Sequence, residues 1–237
     1  MDGTLRSELV AMQAEDVAAM SRFLAEADSH RSEFERTQVI SSGVPWPYAL
    51  LEWQPLEQAP ECARRVVDMV HAHTVRLREI VAEHGWPGRS LAGEDGADAA
   101  WLVLQHTNSR VTTIRSAEGD EFCRSCVLLL RDAVACGEAH PRQLAAIADS
   151  LRLGDDEPPE FASLPGQYEL DDQGRAVFRW DVDVREIDQR RAAIGLPPLA
   201  ADLVRLRSGE IGPNVWEPWP PDHDHAASRQ DTPKGAG

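Results

Sequence analysis

Residues 85–106 read GWPGRSLAGEDGADAAWLVLQH, and the order of residue types in this stretch decides the fold. Gly85-Trp86-Pro87-Gly88 stops any helix that reaches it, because glycine accepts the left-handed backbone of a helix end and proline cannot extend one. Glu94 and Asp95 suit the positive end of a new helix. That helix is expected to start at residues 93–95, to turn Ala97, Ala100, Trp101 and Leu104 inward, and to end at His106.

The helical reading extends in both directions. Upstream, residues 60–84 place Val66, Val70, Leu77, Ile80 and Val81 at core spacing, and residues 4–27 repeat Leu5, Leu9, Met12, Met20, Phe23 and Leu24 with acids between them. Between these helices, residues 41–55 (SSGVPWPYALLEWQP) lose the period to three prolines and two tryptophans, which predicts an aromatic loop or short helix and a candidate lid. Downstream, residues 107–120 form a polar loop with a β-prone VTTI, and a strongly apolar helix follows over 121–137. Pro141 opens a fifth helix through Leu153. Residues 154–180 are irregular, with a DDQG turn suited to joining two short strands, and short helices are expected over 184–194 and 199–207. The fold class is therefore mostly α. The expectation is a single helical domain of six to seven helices over residues 1–208 with one short β-hairpin, followed by a Pro-, Asp- and His-rich disordered tail over 209–237.

Composition excludes several functions. The 237 residues carry a net charge of -16, which opposes binding to nucleic acid or anionic lipid because both require local cation density. No run approaches the roughly 20 apolar residues of a membrane span. The first residues lack the cationic-then-apolar order of a secretory signal, so cytoplasmic residence is expected. Lys234, in the tail, is the only lysine, which excludes Schiff-base chemistry in the folded part. No Gly-rich nucleotide loop, GxSxG elbow or HExxH motif occurs.

From about residue 76 to 206 the chain resembles a helical domain family of GC-rich bacteria that has no assigned activity. The resemblance lies in RLREIVAEHGWPGRSLAGEDGADAAW (76–101), Gln105-His106, LLRDAVACGEA (129–139) and IDQRRAAIGLPPLA (187–200). It implies a mostly helical domain in which Gln105, His106, Asp149 and Gln167 stand at recurring polar positions, and it implies no reaction. The chain departs from the family in a longer segment over 107–120, in Ser150 where arginine is expected after Asp149, and in Leu164-Pro165-Gly166 before Gln167. The anion-binding role that such an arginine could play is therefore not expected of this chain.

The candidate site centres on His106. A helix C-terminus favours an imidazolium, which fits general acid or base work and equally fits a capping histidine. A catalytic His106 needs an orienting carboxylate, and Asp149, on the same helix as the inward-facing Leu144, Ile147 and Leu151, is the expected partner. Gln105 and Gln167 carry paired donors and acceptors able to position a substrate carbonyl or amide. Arg89 and Arg190 suit a substrate carboxylate or an ion pair within this acidic protein. Trp46, Trp53, Trp86 and Trp101 can line an aromatic cavity or pack in the core. Cys123-x-x-Cys126 with Cys136 lies inside a helix without a second CxxC, and reads as structural rather than metal-binding or redox. His71-x-His73 points to two helix faces and reads as solvated surface. Asp222-His223-Asp224-His225 lies in the unpatterned tail and lacks preorganisation as a metal site.

The functional expectation is a cofactor-independent acid/base enzyme acting on a small organic molecule, such as a cyclisation, elimination or hydrolysis step in bacterial secondary metabolism. Two other readings remain. One is a non-catalytic acidic module that binds a protein or ligand through its tryptophans, and the other is a metalloenzyme using His106. Oligomeric state is not encoded in these features.

Overall fold

The computed structural model describes residues 3–38, 44–109, 114–164 and 166–208. Among them are seven α-helices: α1 (Gly3–Thr37), α2 (Glu61–His84), α3 (Arg89–Thr107), α4 (Ala117–Ala135), α5 (Pro141–Gly154), α6 (Val184–Ala193) and α7 (Leu199–Arg207). One antiparallel hairpin, β1 (Tyr168–Leu170) with β2 (Ala176–Phe178), precedes α6, with Tyr168 opposite Phe178 and Leu170 opposite Ala176. The mostly helical class and the hairpin at the DDQG turn both agree with the sequence reading. No helix is long and apolar enough to cross a membrane among the described residues. The expected tail and most of the VTTI segment lie outside the described residues.

Three element boundaries differ from expectation, each for a local reason. α1 runs ten residues past Ala27 to Thr37. Its last turns are mostly polar, and they are held by the Arg31–Glu35 ion pair (2.9 Å) and by Phe34, which is buried against Trp46 and Trp53. α3 begins at Arg89 rather than near Gly93, and Gly93 instead kinks it, with φ +76°. A Cβ there would stand 3.0 Å from Asp95 Oδ1 and 3.3 Å from the Arg6 side chain, so only glycine serves without strain. The cap of α3 is also remote from its own acids. Glu138 supplies it, accepting from Arg89 N (3.0 Å) through its carbonyl and from Ser90 N (2.7 Å) through its carboxylate. α4 starts at Ala117, ahead of Glu121, because Ser116 Oγ accepts from Gly119 N (3.0 Å).

Helix order positions the site. α2 runs antiparallel to α1, with Arg76 facing Glu8 and His73 facing Glu15. α3 runs parallel to α1, with Asp95 bonded to Arg6 at one end and His106 bonded to Asp16 at the other. At 1.5 Å per residue, α1 is about 52 Å long and α3 about 28 Å, so α3 ends while α1 continues. The core divides accordingly. Leu5, Leu9 and Met12 of α1 join Leu77, Leu104, Leu130 and Leu144 in one cluster. Phe23, Ala27 and Phe34 join Leu50, Trp53, Val66 and Val67 in another. The second cluster includes the 3-10 turn Tyr48–Glu52, so this part of the expected lid is core, with Ala49, Leu50 and Leu51 all buried.

At the far end, α6 and α7 close on α5 through a buried charge cluster. Asp202 accepts two hydrogen bonds from Arg142 (2.9 Å each) and a third from Arg191, which also donates to the carbonyls of Pro197 (2.7 Å) and Phe161 (2.8 Å). Burial alone would raise the Asp202 carboxyl, but the two guanidinium groups override it and hold it below the usual carboxylate range.

Candidate active site

A cavity of about 660 Å³ opens where α3 stops covering α1, at the junction of the two core clusters. Its floor and walls come from α1, the Tyr48–Glu52 turn, α2 and α3. Val17, Leu24 and Tyr48 stand at its rim with their apolar surfaces exposed. The interior wall is mixed. Met20, Leu51, Val66, Val70 and Ile114 are apolar, whereas Asp16, Asp98, Gln105 and His106 concentrate polar groups on the α1–α3 side.

His106 holds the expected position at the end of α3, but its carboxylate partner is Asp16. The Nδ1 of His106 donates to Asp16 Oδ2 at 2.7 Å. Asp16 is 2 % exposed, and the His106 side chain is 28 % exposed. A carboxylate on Nδ1 fixes the ring orientation and places the proton on that nitrogen, as an orienting carboxylate does for a general base. Nε2 has no protein partner among the described residues and is the atom left to meet a ligand.

The rest of the polar wall is held from behind. Gln143, 2 % exposed on α5, donates through Nε2 to Asp98 Oδ1 (2.7 Å) and accepts through its backbone carbonyl from Trp101 Nε1 (3.2 Å). Its own Oε1 accepts from His140 N (3.2 Å), while His140 Nδ1 accepts from Arg142 N (3.2 Å), a reciprocal cap that fixes the start of α5. Below His106, Thr107 and Thr74 share a 2.7 Å hydroxyl contact that ties α3 to α2. These contacts lock the rotamers of the groups that face the cavity.

The remaining expected site residues fall into two sets. Gln105 and Trp101 line the cavity with His106. Asp149 does not pair with His106, which corrects that assignment. It is fully buried and accepts from Glu160 N (2.8 Å), Phe161 N (3.0 Å), Ser163 N (2.7 Å) and Ser163 Oγ (2.7 Å). Gln167 lies beside it, accepting from Leu164 N (3.0 Å) and donating weakly to the Asp149 carbonyl (3.5 Å). Together they pin residues 160–167 to α5, so both serve the chain path and not the cavity.

Arg89 forms an ion pair with Glu94 (3.4 Å), and Arg190 binds the Glu160 carbonyl (2.8 Å) and Glu186 (3.6 Å); neither lines the cavity. Trp46 donates to Asp28 (2.7 Å) and packs on Phe34, Trp53 is buried against the same ring, and Trp86 is buried in the other cluster. Only Trp101 of these four lines the cavity. His73 is buried and meets Glu15 (3.3 Å), so the surface reading holds for His71 alone.

Cys123 and Cys126 are buried, and burial pushes both thiols up to about 12, where the nucleophilic thiolate is scarce. Among the described residues, no three His, Cys, Asp or Glu side chains are grouped to hold a metal ion. The Asp222–His225 run lies outside the described residues.

Asp16 is the site residue that the sequence reading missed, although the sequence carried a signal for it. Leu9, Asp16 and Phe23 recur every seven residues along the buried stripe of α1, so the carboxylate occupies a core position. A buried acid at such a position must have a partner. Comparisons of the chain with protein-family models, with curated proteins and with solved structures found no match.

Proposed function

We propose that the protein is a cofactor-independent acid/base enzyme acting on a small organic molecule bound in the α1–α3 cavity. One observation carries this reading: a buried carboxylate orients, through Nδ1, the only histidine among the described residues of the cavity wall, leaving Nε2 uncommitted beside a space large enough for a ligand. A purely structural histidine has no need of a cavity, and a capping histidine at the end of α3 would bond the terminal carbonyls rather than a carboxylate of α1. In the proposed mechanism His106 Nε2 takes a proton from the bound molecule, or from a water that attacks it, Asp16 stabilises the resulting imidazolium, and the imidazolium then gives the proton to the rearranged product or to the departing group. Cyclisation, elimination and hydrolysis all use such a transfer, and a tailoring step in bacterial secondary metabolism in the cytoplasm fits the size and apolar walls of the cavity.

The test is to incubate wild type and His106→Ala with a bacterial small-metabolite extract and to compare the products by mass spectrometry. The reading expects a conversion that wild type performs and the variant loses by about 100- to 10,000-fold, the usual contribution of a positioned acid or base. Equal profiles from two folded proteins would refute it.

A further inference from the structure

We infer that a second, smaller ligand site lies between α3 and α5, and that it binds a primary carboxamide or urea group through Gln105 and Asn108. The inference goes beyond the acid/base reading and does not depend on the role of His106.

Two buried polar atoms carry the first argument. Gln105 Oε1, an acceptor, and Asn108 Nδ2, a donor, both lack a hydrogen-bond partner among the described residues. Asn108 as a whole is only 9 % exposed. Three positions apart, the two side chains project from one face of α3, yet they do not satisfy each other. Buried amide groups are nearly always paired, so an open donor beside an open acceptor marks a place that a bound molecule completes.

The space is the second argument. Both residues line a cavity of about 140 Å³ whose other walls are Ala146, Ile147 and Ser150 of α5 and Leu164. Those walls are fixed from outside. The Asn108 backbone N–H bonds the Leu104 carbonyl (3.1 Å) at the end of α3, Leu164 N donates to Gln167 (3.0 Å), and Asp149 holds Ser163 just before it (2.7 Å). The volume is several times the roughly 30 Å³ share of one water, and cavities of about 150 Å³ take up benzene, so a group of about four to six heavy atoms fits. Gln105 also lines the α1–α3 cavity, so the two spaces adjoin at its side chain.

The polarity of the open atoms selects the group. A primary carboxamide donates an N–H to Gln105 Oε1 while its carbonyl accepts from Asn108 Nδ2, and Ser150 adds a hydroxyl able to do either. A carboxylate or ketone only accepts, which leaves Gln105 Oε1 unmatched. An ammonium only donates, which leaves Asn108 Nδ2 unmatched. A single water offers both functions on one atom but fills a fraction of the space. Ala146, Ile147 and Leu164 are left to cover the carbon attached to the amide.

The side-chain NH2 groups of Gln105 and Asn108 provide the readout. The full-length 15N-labelled protein, with these signals assigned through bonds, would be titrated with acetamide, acetone and acetate, probes of nearly the same shape. The expected result is a saturable shift of both NH2 signals with acetamide, at an affinity about tenfold or more above acetone and acetate, the usual worth of one hydrogen bond. Gln105→Met, which keeps the side-chain length and removes the acceptor, should weaken acetamide by about tenfold. Should that variant not fold, the wild-type titration still decides. Acetone or acetate binding as tightly as acetamide overturns the inference. An unchanged acetamide affinity in Gln105→Met does so too, as do NH2 signals that no probe moves, the outcome of a place filled by water alone. None of these results touches the role of His106, which the metabolite comparison decides separately.

Discussion

Asp16 and His106 stand 90 positions apart in the chain and 2.7 Å apart in the fold, at the point where α3 ends alongside α1. That pair sits on a helix face whose other buried members are apolar, so its cost in stability and its use can be measured separately.

Replacing both members by leucine restores the stripe Leu9–Leu–Phe23. Exchanging both members of a hydrogen-bonded pair for apolar groups of similar shape is commonly close to neutral or stabilising. The Asp16→Leu/His106→Leu double variant is expected to melt at or above the wild-type temperature and to lose all turnover. A clear fall in melting temperature would mean that the pair is kept for the fold.

Asp149 should behave in the opposite way. Its carboxylate holds four hydrogen bonds from residues 160–163 in a fully buried setting. Asp149→Ala is expected to cost about 3 kcal/mol or more, since hydrogen bonds to a charged group contribute about 1.5–3 kcal/mol each and leave unmatched donors when lost. At about 2–4 °C per kcal/mol for a chain of this size, the melting temperature should fall by about 6–12 °C. His106→Ala leaves the buried Asp16 carboxylate without its imidazole partner and should itself cost about 1–3 kcal/mol, a smaller loss than at Asp149 because the His106 side chain is 28 % exposed and water can reach the vacated place.

The contrast between these two residues shows what was legible. Helices, the hairpin and the inward faces followed from period and turn residues, because these depend on neighbours a few positions away. His106, Gln105 and Trp101 were found for the same reason, as one face of one helix. The partner of His106 was not, because Asp16 and Asp149 both occupy inward positions on amphipathic helices and local pattern does not say which helix lies against α3. Packing decides it: the parallel register that sets Asp95 on Arg6 also sets His106 on Asp16.

Acid sensitivity should centre on Asp202. Arg142 and Arg191 hold its folded carboxyl below the unfolded value of about 3.9. A depressed folded value gives stabilisation that is fully present above the unfolded value and is lost as pH falls through the folded one. Wild type is therefore expected to lose stability below about pH 4. Asp202→Asn should already be less stable at pH 7, by about 3–5 kcal/mol because two buried guanidinium groups lose their partner, and should show a flatter acid limb. Urea midpoints from pH 2 to 7 would test this, and parallel acid limbs would contradict it.

Thiol labelling should be selective. Cys136 is exposed, whereas Cys62, Cys123 and Cys126 are buried. Burial raises the Cys62 thiol and brings the Cys123 and Cys126 thiols to about 12. Native protein at pH 8 is expected to take up one equivalent of iodoacetamide quickly, with the other three reacting only in denaturant. Rapid modification of Cys123 or Cys126 would contradict their packing against α3.

Proton transfer at His106 is the central claim, and deuterium uptake measures it without requiring that the net reaction be known. Wild type and His106→Ala would each be incubated in D2O with a bacterial small-metabolite extract, and the metabolites examined for added mass at carbon. The account predicts at least one metabolite that is formed, consumed or deuterated at carbon with wild type and not with the variant. Identical metabolites and identical labelling with the two folded proteins would contradict it.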